Sequence, residues 1–529
     1  MVQSKLEKYS QRFISLLSET DEKNAKTNIH NIKVKICREL NLTHVPSNAE
    51  ILQSMTPKQR EKWVSVLKTK RVRSGSGVLV VAVMTQPIPC PHGKCMYCPG
   101  GPTIGAPQSY TGLEPAALRA IQNQYDPYMQ VTNRLNQLHT LGHHLDKVEI
   151  IVMGGTFPAT PASYQEGFIK GCLDALNGTP SVSLQEAIRS TETAPIRNSG
   201  ITLETRPDYC SQPIIDHSLS MGVTRFELGV QTVYDEVYLK VDRGHTVDAV
   251  VDATQRLKDS GLKVCYHMMT NMPGSTPQRD IEAFKTIFSD PRFSPDMLKI
   301  YPTLVLKGTQ LYHDWLKGSF TAYSEETTIN ILADIFPAIP PWIRIQRVQR
   351  DIPAQLIQAG PTHSNLREEV HNELKNRNKK CQCIRCREIG LKTPPVNPSP
   401  DRIKFLKRVY PASGGEELFL SFEDPSTDTL VSFLRLRRPN DSTSRKEITD
   451  SSMIIRELRV YGEMTPVGHY RSDAWQHQGY GQLLIKLAEQ ISEEYYDANK
   501  IVITSGLGVR PYYKRFGYKQ EGPYMVKHL

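Results

Sequence analysis

CPHGKCMYC, residues 90–98, sets three cysteines, Cys90, Cys95 and Cys98, on one short loop. Three thiolates this close can ligate three irons of a [4Fe–4S] cluster and leave the fourth iron open to a substrate or cofactor. The same thiols with His92 as a fourth ligand would instead make a structural zinc knuckle. The loop follows VLVVAVM, residues 78–84, a β-branched run that suits a buried strand. Further apolar runs recur at 148–153, 200–204, 225–230, 263–269 and 298–305, with helical stretches at 115–125, 164–176, 247–259 and 279–288 between them. Strands alternating with helices imply an α/β fold with a parallel sheet, a TIM-type barrel or part of one. In such folds the chemistry sits at the C-terminal ends of the strands.

Three cysteines with no local fourth, placed after the first strand of a β/α repeat, resemble the radical S-adenosylmethionine (SAM) superfamily. The usual spacing there is C-x3-C-x2-C, and here it is C-x4-C-x2-C. The resemblance implies that the open iron binds the amino and carboxylate groups of SAM, and that one electron then cleaves SAM to a 5′-deoxyadenosyl radical. Gly154 and Gly155 end the second strand, where the superfamily's Gly-Gly pair binds the SAM amino group; glycine lets the backbone approach closely. Glu204, Arg206, Glu227 and Gln231 lie at later strand ends and are expected to line the same mouth, holding the SAM ribose and carboxylate. Salt bridging around the barrel rim is the alternative role.

Towards the C-terminus strands are expected at 417–422, 429–437, 454–461 and 500–504, with helices at 479–495 and 508–515. The polar stretch from residue 437, RRPNDSTSRKEITDSS, reads as a mobile loop. Gln476-His477-Gln478-Gly479-Tyr480-Gly481 matches Q/R-x-x-G-x-G/A at a helix start. That is similar to the acetyl-CoA pyrophosphate loop of GNAT acetyltransferases, where free N–H groups and the helix dipole receive phosphate. Arg456, Glu457, Leu458 and Arg459, on the preceding strand, are expected to offer backbone N–H groups to the acetyl carbonyl and pantetheine. Tyr512, paired with Tyr513, is the expected proton donor to the departing thiolate.

Cys381, Cys383 and Cys386 form a second cluster, C-x-C-x2-C, within residues 361–400, a charged, cysteine-rich and then proline-rich stretch that reads as a linker. Three close thiolates suit structural zinc, with His363 or His371 as the fourth ligand. The 529 residues exceed one hydrophobic core, and the net charge of +10 is concentrated at the front. Residues 1–75, helical by pattern, hold fifteen Lys/Arg against seven Asp/Glu, a net of +8. Such a segment attracts nucleic acid, unless it is merely a solvated helical face. Lys68, Lys70, Arg71 and Arg73 close it and are the expected nucleic-acid contacts. No run of eighteen apolar residues suggests a membrane span, and no secretory signal opens the chain, so a cytoplasmic protein is expected.

Together with CPHGKCMYCPGGP, QSYTGLEPAALRA, VMGGTFPATP and GVRPYYKRFGYKQEGPYMVKHL, these features resemble the catalytic subunit of Elongator, in an archaeal or bacterial form that works without the other Elongator subunits. The resemblance implies a partial radical SAM barrel over 76–360, the zinc-binding linker over 361–400 and a GNAT domain over 401–529. It implies tRNA uridine 34 carboxymethylation in the anticodon stem-loop, with SAM, a [4Fe–4S] cluster, acetyl-CoA, zinc and an electron donor. In that chemistry the radical takes hydrogen from the acetyl methyl, the acetyl radical adds to uracil carbon 5, and thioester hydrolysis leaves a carboxymethyl group. For acetyl-CoA the resemblance points to Lys147, Arg456 to Arg459, Gly479 to Gly481 and Tyr512. Lys147 is expected to reach the CoA phosphate or thioester from the radical side. The other reading of the same motifs is a protein lysine acetyltransferase with a structural cluster.

Overall fold

The computed structural model describes residues 2–529 except 20–21, 43, 68–76, 393, 395, 441–442, 463–474 and 476–477. Four helices lead the chain: α1 (Val2–Ser18), α2 (Glu22–Glu39), α3 (Asn48–Ser54) and α4 (Pro57–Leu67). They close over a core of their own that includes Phe13, Leu17, Ile36, Leu52 and Trp63. A reciprocal Ser47–Glu50 capping box fixes the start of α3. The bundle docks on the next unit through Gln53, whose amide donates to Thr140 Oγ1 at 3.3 Å, and through Arg60, which donates to the His139 carbonyl.

Seven strands follow: β1 (Val78–Met84), β2 (Lys147–Met153), β3 (Arg197–Thr205), β4 (Val223–Gln231), β5 (Lys263–Thr270), β6 (Met297–Pro302) and β7 (Arg344–Val348). They pair in chain order, each parallel to the next, and curl into a half-barrel. Alternation sorts their side chains. Val148, Ile150, Val152, Leu203, Phe226 and Val264 face outward and bury against the crossover helices. The register aligns Thr202 with Arg225, Glu204 with Glu227, Glu227 with Cys265, and His267 with Lys299 on the inner face. The interior is therefore charged, where a TIM barrel is filled by branched apolar layers. The run expected at 298–305 divides. Pro302, without an N–H for the ladder, ends β6, and Val305–Leu306 pairs with Ile357–Ala359 in a separate two-stranded sheet.

The expected linker, 361–400, packs against the barrel over residues 366–383. They carry helix α5 (Leu366–Asn376), and Leu366, Val370, Leu374, Cys381 and Cys383 join the barrel's buried cluster. The second sheet comprises β8 (Lys404–Ala412), β9 (Gly415–Asp424), β10 (Thr429–Arg438), β11 (Ser452–Val460), β12 (Lys500–Ile503), β13 (Lys519–Glu521) and β14 (Tyr524–His528). Its order is β8-β9-β10-β11-β12-β14-β13, antiparallel except for the parallel pair β11–β12. Helix α6 (Tyr480–Tyr496) packs on it through Leu484, Ile485 and Ala488, and the short α7 is Arg510–Lys514. The polar stretch after β10 is not a loose loop over its described residues. Ile448 is buried in the barrel's cluster and Arg445 pairs with Asp216 at 2.9 Å, so a few anchors fix an otherwise polar segment.

The second sheet covers the N-terminal end of the barrel through buried ion pairs. Arg456 reaches Asp296, just before β6, at 2.6 Å and Glu417 at 2.9 Å. Arg437 reaches Asp259 at 2.6 Å. Backbone approaches equally closely at Gly506 and Gly508, where an added Cβ would stand 2.4 Å from Ser199 and 2.7 Å from Asn198 at the start of β3. Such paired charges hold one docking geometry, and removing one partner strands the rest in a low dielectric.

Candidate active site

The cysteine loop leaves the C-terminal end of β1 and lies against the turn that ends β2. Gly154 and Gly155 adopt φ of 121° and 92°, values a side chain resists. A Cβ on Gly155 would stand 3.6 Å from the Cys90 sulfur, and one on Gly154 would meet Thr85 Oγ1 at 2.4 Å. The thiols are ringed by N–H and O–H groups. Gln108 donates to Cys98 at 3.3 Å, with Ser109 Oγ also at 3.3 Å. His92 Nε2 lies 3.1 Å from Cys95, Arg243 donates to Cys95 at 3.6 Å, and Thr156 Oγ1 is 3.7 Å from Cys90.

This donor set fits a cluster better than a single ion. Among the described residues two trios of ligand atoms close to within 4.8 Å, Cys381–Cys383–Cys386 and Glu227–Cys265–His267, and the three loop cysteines are not one of them. The Glu227 trio is occupied by cations: Lys299 and Arg225 both pair with Glu227. Burial would raise the Glu227 carboxyl, but Lys299, His267 and Arg225 hold it well below the carboxylate range.

The four polar strand-end residues part company. Glu204 accepts from the Tyr110 hydroxyl at 2.9 Å and faces Lys299 at 3.5 Å. Gln231 takes φ 72°, and its amide oxygen is buried without a partner, as a ligand-binding group at the mouth would be. Arg206 is committed elsewhere, to Asp208 at 2.9 Å and to the carbonyls of Arg243 and Gly244 at 2.6 and 3.1 Å. Glu227 is wholly buried inside the barrel, below the rim.

Lys147 is the first residue of β2 and Gly154 follows the last, so roughly 20 Å of strand separates them. Lys147 thus stands at the end the second sheet covers. It is half-buried, and burial lowers its ammonium pKa. Two residues on, Glu149 pairs with Arg225 at 2.6 Å and with Arg459 of the second sheet at 3.7 Å.

In the second unit Gly479 is the N-cap of α6 at φ 88°, Gln478 and Gly479 are exposed, and Tyr480 packs near Trp475. A Cβ on Gly481 would stand 2.8 Å from the Tyr512 hydroxyl, so that hydroxyl hangs over the first turn of α6. Burial raises its pKa and keeps it protonated. Tyr513 is buried in the sheet's core. On β11 the side chains of Arg456 and Glu457 turn into the domain interface, Glu457 meeting Arg435 at 3.0 Å, while Leu458 is half-buried beside the core. Arg459 meets Glu457 at 3.2 Å.

Cys383 and Cys386 lie 3.6 Å apart, and His371 Nε2 is 3.6 Å from Cys386, whereas His363 is exposed and paired with Glu325 and Glu369. Lys68, Lys70, Arg71 and Arg73 lie outside the described residues. Sequence reasoning passed over Tyr110, Glu149, Arg225, Arg243, His267 and Lys299. The signal for most of them was a charged or polar residue at period two inside the apolar runs VEIIVM, RFELGV, KVCYHMM and LKIYP.

A half-barrel with a three-cysteine loop after β1 and a glycine pair after β2 defines a radical SAM protein, and the fold implies a [4Fe–4S] cluster and SAM. Residues 88–287 match the Radical SAM superfamily, 295–376 the Radical_SAM C-terminal domain and 6–75 the ELP3 N-terminal domain. The chain is 49% identical over 490 residues to the tRNA uridine(34) acetyltransferase of Methanocaldococcus infernus, spanning 92% of each chain. It is 43% identical over 524 residues to human Elongator complex protein 3, spanning 98% of this chain and 96% of that one. The solved structure of archaeal M. infernus Elp3 lacking residues 1–46 superposes with a TM-score of 0.77 at 45% identity, covering 86% of this chain and 100% of that one. The chain belongs to the Elongator complex protein 3 family. No helix among the described residues is long and apolar enough to cross a membrane.

Proposed function

We propose that the protein is a tRNA-modifying enzyme that places a carboxymethyl group on carbon 5 of uridine 34, using SAM, acetyl-CoA and an external electron donor. One observation carries the reading. One chain holds both halves of that chemistry: the barrel bears the cysteine loop and glycine pair, and the sheet docked on the barrel presents a helix N-terminus beneath Tyr512. The relatives' names, tRNA uridine(34) acetyltransferase and Elongator complex protein 3, support the acceptor. Acyl transfer to a protein lysine needs no radical, so the radical SAM match weighs against that alternative.

When bound, the cluster and SAM supply a carbon-centred radical able to take hydrogen from an unactivated C–H bond. The chain's own residues do the rest. Cys90, Cys95 and Cys98 hold the cluster, Gly154 and Gly155 admit SAM against it, and Glu204 and Gln231 contact SAM's polar groups. The α6 N-terminus at Gln478 to Gly481 takes the CoA pyrophosphate, in a GNAT-type domain. The β11 backbone from Arg456 to Arg459 holds the pantetheine. Tyr512, protonated at neutral pH, gives its proton to the leaving thiolate, and Lys147 approaches the CoA from the end of the barrel that faces the sheet. Cys381, Cys383 and Cys386 hold a structural zinc with His371. The basic segment through Arg73 binds tRNA phosphates, and the chain acts without the other Elongator subunits.

The test is anaerobic reconstitution of the chain alone with SAM, tRNA and acetyl-CoA deuterated on its methyl, followed by nucleoside mass spectrometry. Carboxymethylated uridine and deuterium in 5′-deoxyadenosine are expected. Modified tRNA without label in 5′-deoxyadenosine would sink the coupled chemistry.

A further inference from the structure

Eight arginines are buried among the described residues. Seven of them, Arg206, Arg225, Arg387, Arg435, Arg437, Arg456 and Arg510, lie within 4.0 Å of a carboxylate. Arg243 is the exception. Its guanidinium donates to the Gly229 carbonyl at 2.5 Å, to His245 Nε2 at 3.1 Å and to the Cys95 sulfur at 3.6 Å. His245 accepts that bond as a neutral ring: burial first, then Arg243 beside it, lowers its pKa to about 3. A buried cation without a counter-charge is strongly destabilising, so this one has a partner of another kind.

The surroundings hold Arg243 at the cysteine loop. A Cβ on Gly229 would fall 2.4 Å from its Nη2, so the strand gives up a side chain to admit the guanidinium. Arg206, itself neutralised by Asp208, donates to the carbonyls of Arg243 and Gly244 and fixes the loop from behind. Gly244 in turn lies against His92, the other side chain whose nitrogen meets Cys95.

We propose that Arg243 is the internal counter-charge of the cluster, a positioning residue that raises its reduction potential. The cluster gains one negative charge on taking up an electron, and a fixed buried cation beside Cys95 stabilises the reduced form more than the oxidised one. Hydrogen bonds and net charge around the sulfurs are the protein's levers on such potentials. The inference rests on the radical SAM cluster alone and not on the acceptor, so it is tested without tRNA or acetyl-CoA and its failure leaves the proposed function standing.

The experiment is an EPR-monitored redox titration of the reconstituted full chain, as wild type, Arg243→Gln and Arg243→Lys. Arg243→Gln is expected to carry full iron with its reduction equilibrium shifted at least tenfold toward the oxidised form, about 59 mV for a one-electron couple. Arg243→Lys keeps most of the wild-type potential. Should Arg243→Gln fold, by circular dichroism, yet not retain iron while Arg243→Lys does, the counter-charge role stands. An unchanged potential in Arg243→Gln overturns it. So does loss of folding or of iron in both variants, which would assign the residue to its bonds with Gly229 and His245.

Discussion

Arg459 of the second sheet lies 3.7 Å from Glu149, a residue inside the barrel on the strand that leads into Gly154. Glu149 meets Arg225 at 2.6 Å, Arg225 meets Glu227 at 3.3 Å, and Lys299 joins Glu227 to Glu204 and so to Tyr110. A chain of paired charges thus crosses the barrel from the cluster mouth to the sheet that caps it. The pairs are desolvated, which ties the two units into one body and makes their geometry sensitive to any single neutralisation.

The interface should therefore soften in acid. Burial alone would raise the Glu457 carboxyl, but Arg435, Arg459 and Lys263 hold it down to about 2. A depressed carboxyl contributes stability that is present above the unfolded value near 4.5 and lost as pH falls through about 2. The contribution is on the order of 3 kcal/mol. In denaturant titrations the stability gap between wild type and Glu457→Gln is expected to shrink from pH 5 toward pH 2. A constant gap would refute the assignment.

Removing Asp296 should cost more. Asp296→Asn leaves Arg456, Arg435 and Lys258 buried without their shared carboxylate. A loss of about 3–5 kcal/mol in unfolding free energy is expected. A change below about 1 kcal/mol would mean that solvent reaches the interface.

The second cysteine cluster gives a metal prediction with an internal control. His371→Ala should lower zinc content and expose Cys386 to alkylation, while His363→Ala should leave one zinc per chain. Equal zinc in both variants would remove His371 from the site.

The coenzyme site is open to a steric test. Gly481→Ala pushes the new methyl against the Tyr512 hydroxyl. Acetyl-CoA affinity is expected to fall at least tenfold, about 1.4 kcal/mol, by calorimetry. Reductive cleavage of SAM should be unchanged, because the cysteine loop and glycine pair are left intact. Lys147→Ala should behave alike, keeping iron and losing acetyl-CoA affinity.

For RNA, reversing the charge of Lys68, Lys70, Arg71 and Arg73 together should weaken binding to many tRNAs alike and flatten the dependence of log K on log salt, since each neutralised phosphate releases counterion. Wild-type affinity and slope in that variant would move the RNA site elsewhere on the protein.

The sequence by itself determined whatever depends on neighbours along the chain. Three thiols in nine residues, a glycine pair closing a strand, a glycine-rich helix start and C-x-C-x2-C are each brought together by their spacing, because a loop or a first helical turn gathers consecutive residues in almost any context. The alternation of strand and helix fixed the parallel sheet for the same reason. Only the tertiary structure decided what register and docking control. Lys147 opens β2 and Gly154 directly follows it, yet one faces the capping sheet and the other the cluster loop. Arg243 meets Cys95 across 148 residues and Arg456 meets Asp296 across 160. No local spacing encodes such pairs: each forms because a buried charge, once the barrel and the sheet have closed around it, must find a partner within reach.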